Sequence, residues 1–73
     1  MPKDHSEERP LSTREEWMLV QRGEGWTYGQ IGADHGVSAG RVGQIMRGVR
    51  EKLGVSTDEE AIAEARRRLT DAD

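Results

Sequence analysis

Gln44 and Arg47 are two polar side chains about one turn apart in a segment whose apolar residues recur with a helical period. At about 100° per residue, those apolar residues share one stripe and the polar pair falls on the opposite side. The stripe consists of Val42, Ile45, Met46, Val49 and Leu53. A glutamine amide pairs through two hydrogen bonds with adenine, and an arginine guanidinium pairs in the same way with O6 and N7 of guanine. The spacing therefore predicts a helix that reads base edges in the major groove of DNA.

Further donors surround this pair. Arg41 and Arg50 flank it, at positions where the phosphates of a bound duplex would run. The N-termini of two predicted helices add hydroxyl groups and backbone amides at Thr27, Tyr28 and Ser38, and helix N-termini favour phosphate oxygens. The pattern predicts contacts to both base edges and the sugar-phosphate backbone.

Three glycines, Gly40, Gly43 and Gly48, lie within the same predicted helix. Each costs about 1 kcal/mol of helix stability relative to alanine. Two interpretations stay open. The glycines allow the helix backbone to approach a DNA groove closely, or they are simply tolerated in a slightly unstable helix.

Two helices must position this surface. Thr27 with Gln30 gives the residue pattern of a capping box, and Ser38 is a suitable cap for the helix predicted over Ala39–Leu53. Gly36 has the residue type that ends a helix in the left-handed conformation. Two capped helices joined by a glycine-containing turn form a helix-turn-helix, here over residues 27–53.

Two more helices complete the predicted architecture. Ser12 and Glu15 predict a second capping box at the start of the first helix, and Ser56 or Thr57 caps a fourth. The sequence thus predicts an all-α, four-helix helix-turn-helix domain over residues 11–70.

The first ten residues are polar and include two prolines, which predicts a disordered N-terminal arm over residues 1–10. The domain itself has no Phe, so its core needs other large side chains. We expect Trp17 and Met18 to turn inward, and Trp26 to belong to the core rather than to a ligand site. Ile31 is the large apolar anchor of the second helix.

Composition excludes several classes of function. The chain has 73 residues and no Cys, which suits one small domain without disulfide bonds. The two histidines, His5 and His35, are too few and too far apart for a metal site, and His35 is expected to face a helix dipole or solvent rather than act as a switch. No constellation for catalysis is present, so neither enzyme activity nor a cofactor is predicted. No apolar run is long enough for a membrane span, which favours the cytoplasm.

The formal net charge of −3 argues at first against a nucleic-acid partner, but its distribution matters more than its sum. Between residues 27 and 54 the basic side chains outnumber the acidic ones by four to two, and the segments on either side are net acidic. Long-range attraction to DNA should therefore be weak, so that short-range contacts carry the binding.

Residues 11–69 resemble the LuxR/GerE-type helix-turn-helix domain. The matching segments are L-S-T-R-E-E at 11–16, G-E-G-W-T at 23–27, Q-I-G at 30–32, G-V-S at 36–38, R-V-G-Q-I at 41–45, R-E-K-L-G-V-S at 50–56 and E-A-I at 60–62. Locally, G-W-T-Y-G-Q-I-G at 25–32 and R-V-G-Q-I at 41–45 look more like region four of sigma factors, which reads promoter elements through a related helix-turn-helix.

The LuxR/GerE resemblance implies that the third helix reads the major groove and that the fourth forms a homodimer. Carried over by position, the base-reading places fall on Gly43, Gln44 and Arg47, where Gly43 replaces a long basic side chain. Both lines of reasoning together give Gln44, Arg47, Gly43 and Arg41 as the base-reading set, with Arg41 also at a position where a phosphate would run, and phosphate contacts from Thr27, Tyr28, Ser38 and Arg50. The implied dimer surface is Ala61, Ala65 and Leu69, although Glu64 and Arg66 interrupt it.

Two functions remain open at this level. The first is a sequence-specific transcriptional regulator that binds double-stranded DNA. The second is a protein-binding module that docks on RNA polymerase or a sigma factor, which the acidic net charge and the sigma-like segments favour.

Overall fold

The computed structural model describes residues 11–71, with side chains through residue 68. Four helices follow one another: α1 (Thr13–Gly23), α2 (Tyr28–His35), α3 (Ala39–Leu53) and α4 (Asp58–Asp71). Because residues 11–71 contain no strand, the all-α four-helix expectation is confirmed. The predicted arm, residues 1–10, lies outside the described residues.

Helix starts lie where the capping residues predicted them. The Ser12 hydroxyl accepts from the Glu15 amide at 3.1 Å, and the Glu15 carboxylate accepts from the Ser12 amide at 2.9 Å. Thr27 and Gln30 form the same reciprocal pair before α2, and the Ser38 hydroxyl caps α3. Each cap provides a hydrogen-bond acceptor for a backbone amide that has no acceptor within the helix. The three starts follow directly from local sequence.

The turn between α2 and α3 depends on two glycines. Gly36 ends α2 with φ +74°, a left-handed conformation that glycine adopts without steric cost. A Cβ atom on Gly32 would lie 2.5 Å from the carbonyl oxygen of Val37, so any side chain there would force the turn away from α2. Gly32 therefore fixes how closely the following turn packs on α2, and with it the direction in which α3 leaves.

The core is a single cluster to which all four helices contribute. Its buried apolar members are Met18, Leu19, Ile31, Val42, Met46, Val49, Leu53 and Ala61. Around them pack partly buried side chains that include Trp26, Tyr28, Ile45 and Ile62. The predicted apolar stripe of α3 is confirmed, with Ile45 at its half-buried edge.

The expectation that Trp17 turns inward is wrong. Trp17 and Val20 are each 57% exposed, whereas Met18 is fully buried at the neighbouring position. The buried face of α1 consists of Met18, Leu19 and Gln21, and Trp17, about 100° before Met18, lies beyond the edge of that face. The Trp17 indole instead stands edge-on to the His35 ring, with ring centroids 5.5 Å apart.

Two contacts join helices that are distant in sequence: one links α1 to α3, and the other links α1 to α4. The Lys52 ammonium lies 2.9 and 3.0 Å from the two carboxylate oxygens of Glu15, which joins the end of α3 to the first turn of α1. The side chain of Ile62 on α4 lies against Gly23, where a Cβ atom would be only 3.3 Å away. These contacts leave the outward side of α3 uncovered.

Candidate nucleic-acid interface

The outward side of α3 carries the three polar side chains predicted to read bases. Arg41, Gln44 and Arg47 are all exposed, whereas Val42 and Met46 between them are fully buried. Burial on one side therefore fixes the rotation of α3 and directs the other side to solvent. The helix thus offers long hydrogen-bonding side chains in one row, the arrangement that major-groove recognition requires.

These side chains also contact one another. A guanidinium nitrogen of Arg41 lies 3.5 Å from the amide oxygen of Gln44, and Arg47 Nε lies 3.5 Å from a carboxylate oxygen of Glu51. The side chains of Arg47 and Glu51 are 76% and 68% exposed. An ion pair this open to water contributes little, about 0–1 kcal/mol, so Arg47 can leave Glu51 for a base at small cost.

The three glycines of α3 differ in their surroundings. A Cβ atom on Gly43 would lie 3.5 Å from the Tyr28 ring, so this position is in contact with the start of α2. A Cβ atom on Gly48 would meet no atom within 4 Å, and one on Gly40 would approach only the Ser38 hydroxyl, at 3.9 Å. Packing within residues 11–71 therefore gives no reason for glycine at 40 and 48.

Thr27 and Ser38 stand at the N-termini of α2 and α3 and are both exposed. Their hydroxyl oxygens accept the capping bonds at 3.1 and 3.0 Å, which uses one acceptor site of each group and leaves the O–H free to donate. Together with the amides of the first helical turn, these hydroxyls can bind an anionic oxygen.

Tyr28 and Arg50, the other two predicted phosphate contacts, bind a carboxylate of the same chain. The Tyr28 hydroxyl donates to Oδ2 of Asp58 at 2.6 Å, and Arg50 donates to Oδ1 at 2.6 Å. Arg22 donates to Oδ2 at 3.3 Å, and its guanidinium carbon lies 5.4 Å from the centre of the Tyr28 ring. We call these four residues the Asp58 cluster.

Electrostatics within the Asp58 cluster favour the charged carboxylate. Burial by itself raises the pKa of Asp58, but the hydrogen bonds from Tyr28, Arg50 and Arg22 outweigh burial and hold the pKa below its ordinary value. Burial, together with the hydrogen bond to Asp58, raises the pKa of Tyr28. The hydrogen bond to Asp58 likewise raises the pKa of Arg50.

Sequence reasoning missed the Asp58 cluster, because it assigned Tyr28 and Arg50 to DNA phosphates and gave Asp58 no role. The one available signal was the place of Asp58 at the first turn of a helix, where a carboxylate is favoured in any case. That signal does not reveal which donors will meet it.

A family model for region 4 of sigma-70 factors matches residues 10–54. The chain belongs to the sigma-70 region 4 family. No curated protein and no solved structure matches it. Region 4 domains bind DNA through a helix-turn-helix, serve transcription and are not enzymes. The sigma-like segments at 25–32 and 41–45 both lie within the match, and the LuxR/GerE type is a related helix-turn-helix fold.

The sigma-70 region 4 match ends at residue 54, before α4 begins. The dimer surface implied by the LuxR/GerE resemblance lies on that last helix. In the structure, part of this surface packs against the core of the same chain. Ala61 is fully buried in the core of the same chain, and Ala65 packs against that core, so Ala61 offers no surface to a second copy. The side chain of Leu69 lies outside the described residues.

Of the two environments expected for His35, the helix dipole and solvent, the structure shows the first, because His35 lies in the last turn of α2 and its side chain is only 8% exposed. The amide nitrogen of Gln21 donates to Asp34 at 2.8 Å, which turns the amide oxygen of Gln21 toward His35 Nε2, also at 2.8 Å. Since that oxygen only accepts, Nε2 of His35 must carry a proton. Gln21, itself buried, thus links α1 to the end of α2 through polar contacts.

None of the helices within residues 11–71 is long and apolar enough to cross a membrane. In the same part of the chain, no group of three or more His, Asp or Glu residues is placed to hold a metal ion.

Proposed function

We propose that this region 4 domain is a sequence-specific transcriptional regulator that reads the major groove of double-stranded DNA with α3. The observation that carries the proposal is the exposed row of Arg41, Gln44 and Arg47 on a helix whose opposite side is buried in the core. The family supplies the DNA-binding class, and the row supplies side chains that can distinguish bases.

The proposed base contacts divide by chemistry. Gln44 is suited to adenine and Arg47 to guanine, since both pairings use two hydrogen bonds. Arg41 lies one turn before Gln44 and extends the row toward the start of α3. Gly43 has no side chain to contribute. We expect it to let the backbone of α3 approach the groove closely, with the Tyr28 ring beside it.

Thr27 and Ser38 are proposed as phosphate contacts from the two helix N-termini. Tyr28 and Arg50 belong to the same proposed set, but both donate to Asp58 in the free protein. Because basic side chains outnumber acidic ones only between residues 27 and 54 and the net charge is −3, binding should depend on a few close contacts.

The test is selection of binding sites from a randomised duplex pool, followed by titration of the selected duplex. We expect a defined motif that the protein binds with a log–log salt slope of several units. Arg47→Ala should weaken binding by about 1–3 kcal/mol and relax the preference at one base pair. Arg68→Ala is the matched control, because it removes an arginine that pairs with Glu64 on α4, away from α3.

An Arg47→Ala variant that binds every duplex equally less well would contradict the base contact and leave Arg47 as a phosphate ligand. Absence of any enriched motif would contradict sequence-specific binding altogether.

A second candidate is a module that binds RNA polymerase or a sigma factor, and the exposed apolar side chains of α1 favour it. Trp17 and Val20 are one turn apart and each 57% exposed. Trp17 contacts His35 at the C-terminal end of α2, about 10 Å along that helix from Tyr28 at the other end. A protein could therefore bind α1 without covering Tyr28.

Purified core RNA polymerase, titrated against the protein, tests this second candidate. If it is right, Trp17→Ala should weaken the complex and Arg47→Ala should not. Retention of full affinity by Trp17→Ala would contradict a contact through α1. Either function would place the protein in the cytoplasm with the chromosome and its transcription machinery.

A further inference from the structure

The Asp58 cluster brings donors from three helices to one acceptor on the fourth. Arg22 on α1, Tyr28 on α2 and Arg50 on α3 all donate to the carboxylate of Asp58, the first residue of α4. The Asp58 side chain is only 13% exposed. One carboxylate of α4 thus accepts hydrogen bonds from donors that belong to the three preceding helices.

These donors are of the types that bind a phosphate group. A guanidinium fits carboxylate and phosphate oxygens with the same geometry, and a tyrosine hydroxyl donates to either. The two arginines carry two positive charges, of which one carboxylate neutralises only one. A phosphodiester would present the same single negative charge with oxygen acceptors at comparable spacing.

The cluster borders the proposed DNA surface. Arg50 lies seven residues after Gly43 and hence on the same flank of α3, and the Tyr28 ring lies where a Gly43 side chain would begin. Thr27, a proposed phosphate contact, immediately precedes Tyr28. The side chains of Arg22 and Arg50 remain 36% and 24% exposed, so the cluster is open to an approaching strand.

We propose that Asp58 is an internal competitor for a DNA phosphate, so that α4 lowers the affinity of the helix-turn-helix until the bound strand displaces the carboxylate. The proposal rests on the DNA-binding function proposed above and adds a regulatory role for the helix that follows the family-matched segment. Anything that draws α4 away from the cluster would release Tyr28, Arg22 and Arg50 for DNA.

The first experiment compares Asp58→Asn with Glu59→Gln on the selected duplex. Both variants remove one negative charge from the same turn of α4, but only Asp58 touches the donors. We expect Asp58→Asn to bind at least about fivefold more tightly than the wild type, a typical strength for coupling between two ligands. Glu59→Gln should stay within about twofold, which corresponds to less than about 0.5 kcal/mol.

Salt dependence identifies the released contact. Because the bound strand displaces Asp58 in the wild type as well, Asp58→Asn should keep the log–log salt slope of Glu59→Gln, whereas Arg50→Ala, which removes one phosphate contact, should flatten it by about 0.9. Arg50→Ala in the Asp58→Asn background should abolish most of the gain. Equal effects of Asp58→Asn and Glu59→Gln on affinity would overturn the proposal and leave only a general effect of charge.

A measurement on the wild type covers the case in which Asp58→Asn does not fold. The titration of the Asp58 carboxyl carbon is followed by NMR in the free protein and in the DNA complex. Arg22, Tyr28 and Arg50 are the groups that face this carboxylate from α1, α2 and α3, and they hold its pKa down in the free protein. Displacement by phosphate should raise the Asp58 pKa toward its ordinary value, and an unchanged titration in the complex would overturn the proposal.

The two proposals fail in different ways. If the wild type binds DNA and Asp58→Asn binds it no better, the inference about α4 fails and the DNA-binding function stands. If neither protein binds any duplex, the proposed function fails, and the inference that rests on it fails as well.

Discussion

At the scale of single residues, glycine has two opposite roles in this helix-turn-helix. A side chain on Gly32 would collide with backbone atoms of the turn, where nothing can move aside cheaply, whereas one on Gly48 would project into open space. The same residue type is therefore required at one position and costly at the other.

This contrast gives a paired prediction. Gly32→Ala should destabilise the fold by about 1–3 kcal/mol, because the added methyl group overpacks the contact between α2 and the turn. Gly48→Ala should stabilise it by up to about 1 kcal/mol, because alanine is the better helix former and meets no obstacle. Urea unfolding followed by circular dichroism measures both, and a Gly32→Ala protein as stable as the wild type would refute the close approach.

Gly48→Ala also separates the two interpretations of the glycines in α3. If Gly48 only reflects a tolerated weakness, the more stable variant should bind DNA as well as the wild type does. Weaker DNA binding by a protein that is more stable would instead indicate that the backbone at Gly48 lies against the groove.

At the scale of helices, Asp58 decides how α4 docks on the rest of the fold. Its carboxylate meets donors from α1, α2 and α3, while Ala61 one turn later enters the core. Polar and apolar contacts are thus made by the same end of α4. Acid should weaken this docking, since protonation removes the charge that the two arginines bind.

The sign of the pH dependence follows from the lowered pKa of Asp58. The unfolded chain takes up a proton near pH 4 and the folded chain only at lower pH, so the stabilisation is present above pH 4 and is lost as the pH falls through the folded pKa. At pH 7, Asp58→Asn should lower the free energy of unfolding by about 1–3 kcal/mol.

Chemical unfolding at several pH values measures this contribution. The difference between wild type and Asp58→Asn should shrink as the pH falls below about 4. The control variant Glu59→Gln keeps Asp58 and should follow the wild-type decline. A difference that is independent of pH would mean that Asp58 acts through packing rather than through its charge.

At the scale of the whole molecule, burial of Ala61 bears on the oligomeric state. A dimer through α4 would need an apolar strip on its outer side, but Ala61 belongs to the core, and Glu64 pairs with Arg67 and Arg68 on the same helix. A charged surface of this kind does not favour a self-complementary apolar interface.

We therefore expect a monomer of 8.2 kDa in solution. Sedimentation equilibrium should return this mass at every loading concentration, because an α4 surface that is largely charged provides little driving force for association. A mass that rises toward twice this value with concentration would restore the dimer that the LuxR/GerE resemblance implied.

Local sequence rules were sufficient to predict the helices and the direction of the proposed base-reading side chains. Capping residues such as Ser12, Thr27 and Ser38 bind amides only three residues away, so their effect is legible in sequence. The apolar stripe of α3 likewise fixed which side faces inward and left Gln44 and Arg47 outside.

Tertiary structure alone decided the interactions between residues distant in sequence. The size and apolar character of Trp17 predict a core position, but Met18 occupies the face that the neighbouring helices cover. His35 and Gln21 form a hydrogen bond across 14 residues, and Arg50 meets Asp58 only once α4 has packed. Periodicity specifies which face of a helix is apolar. Which polar partners meet is set by how the helices pack, and no local pattern encodes it.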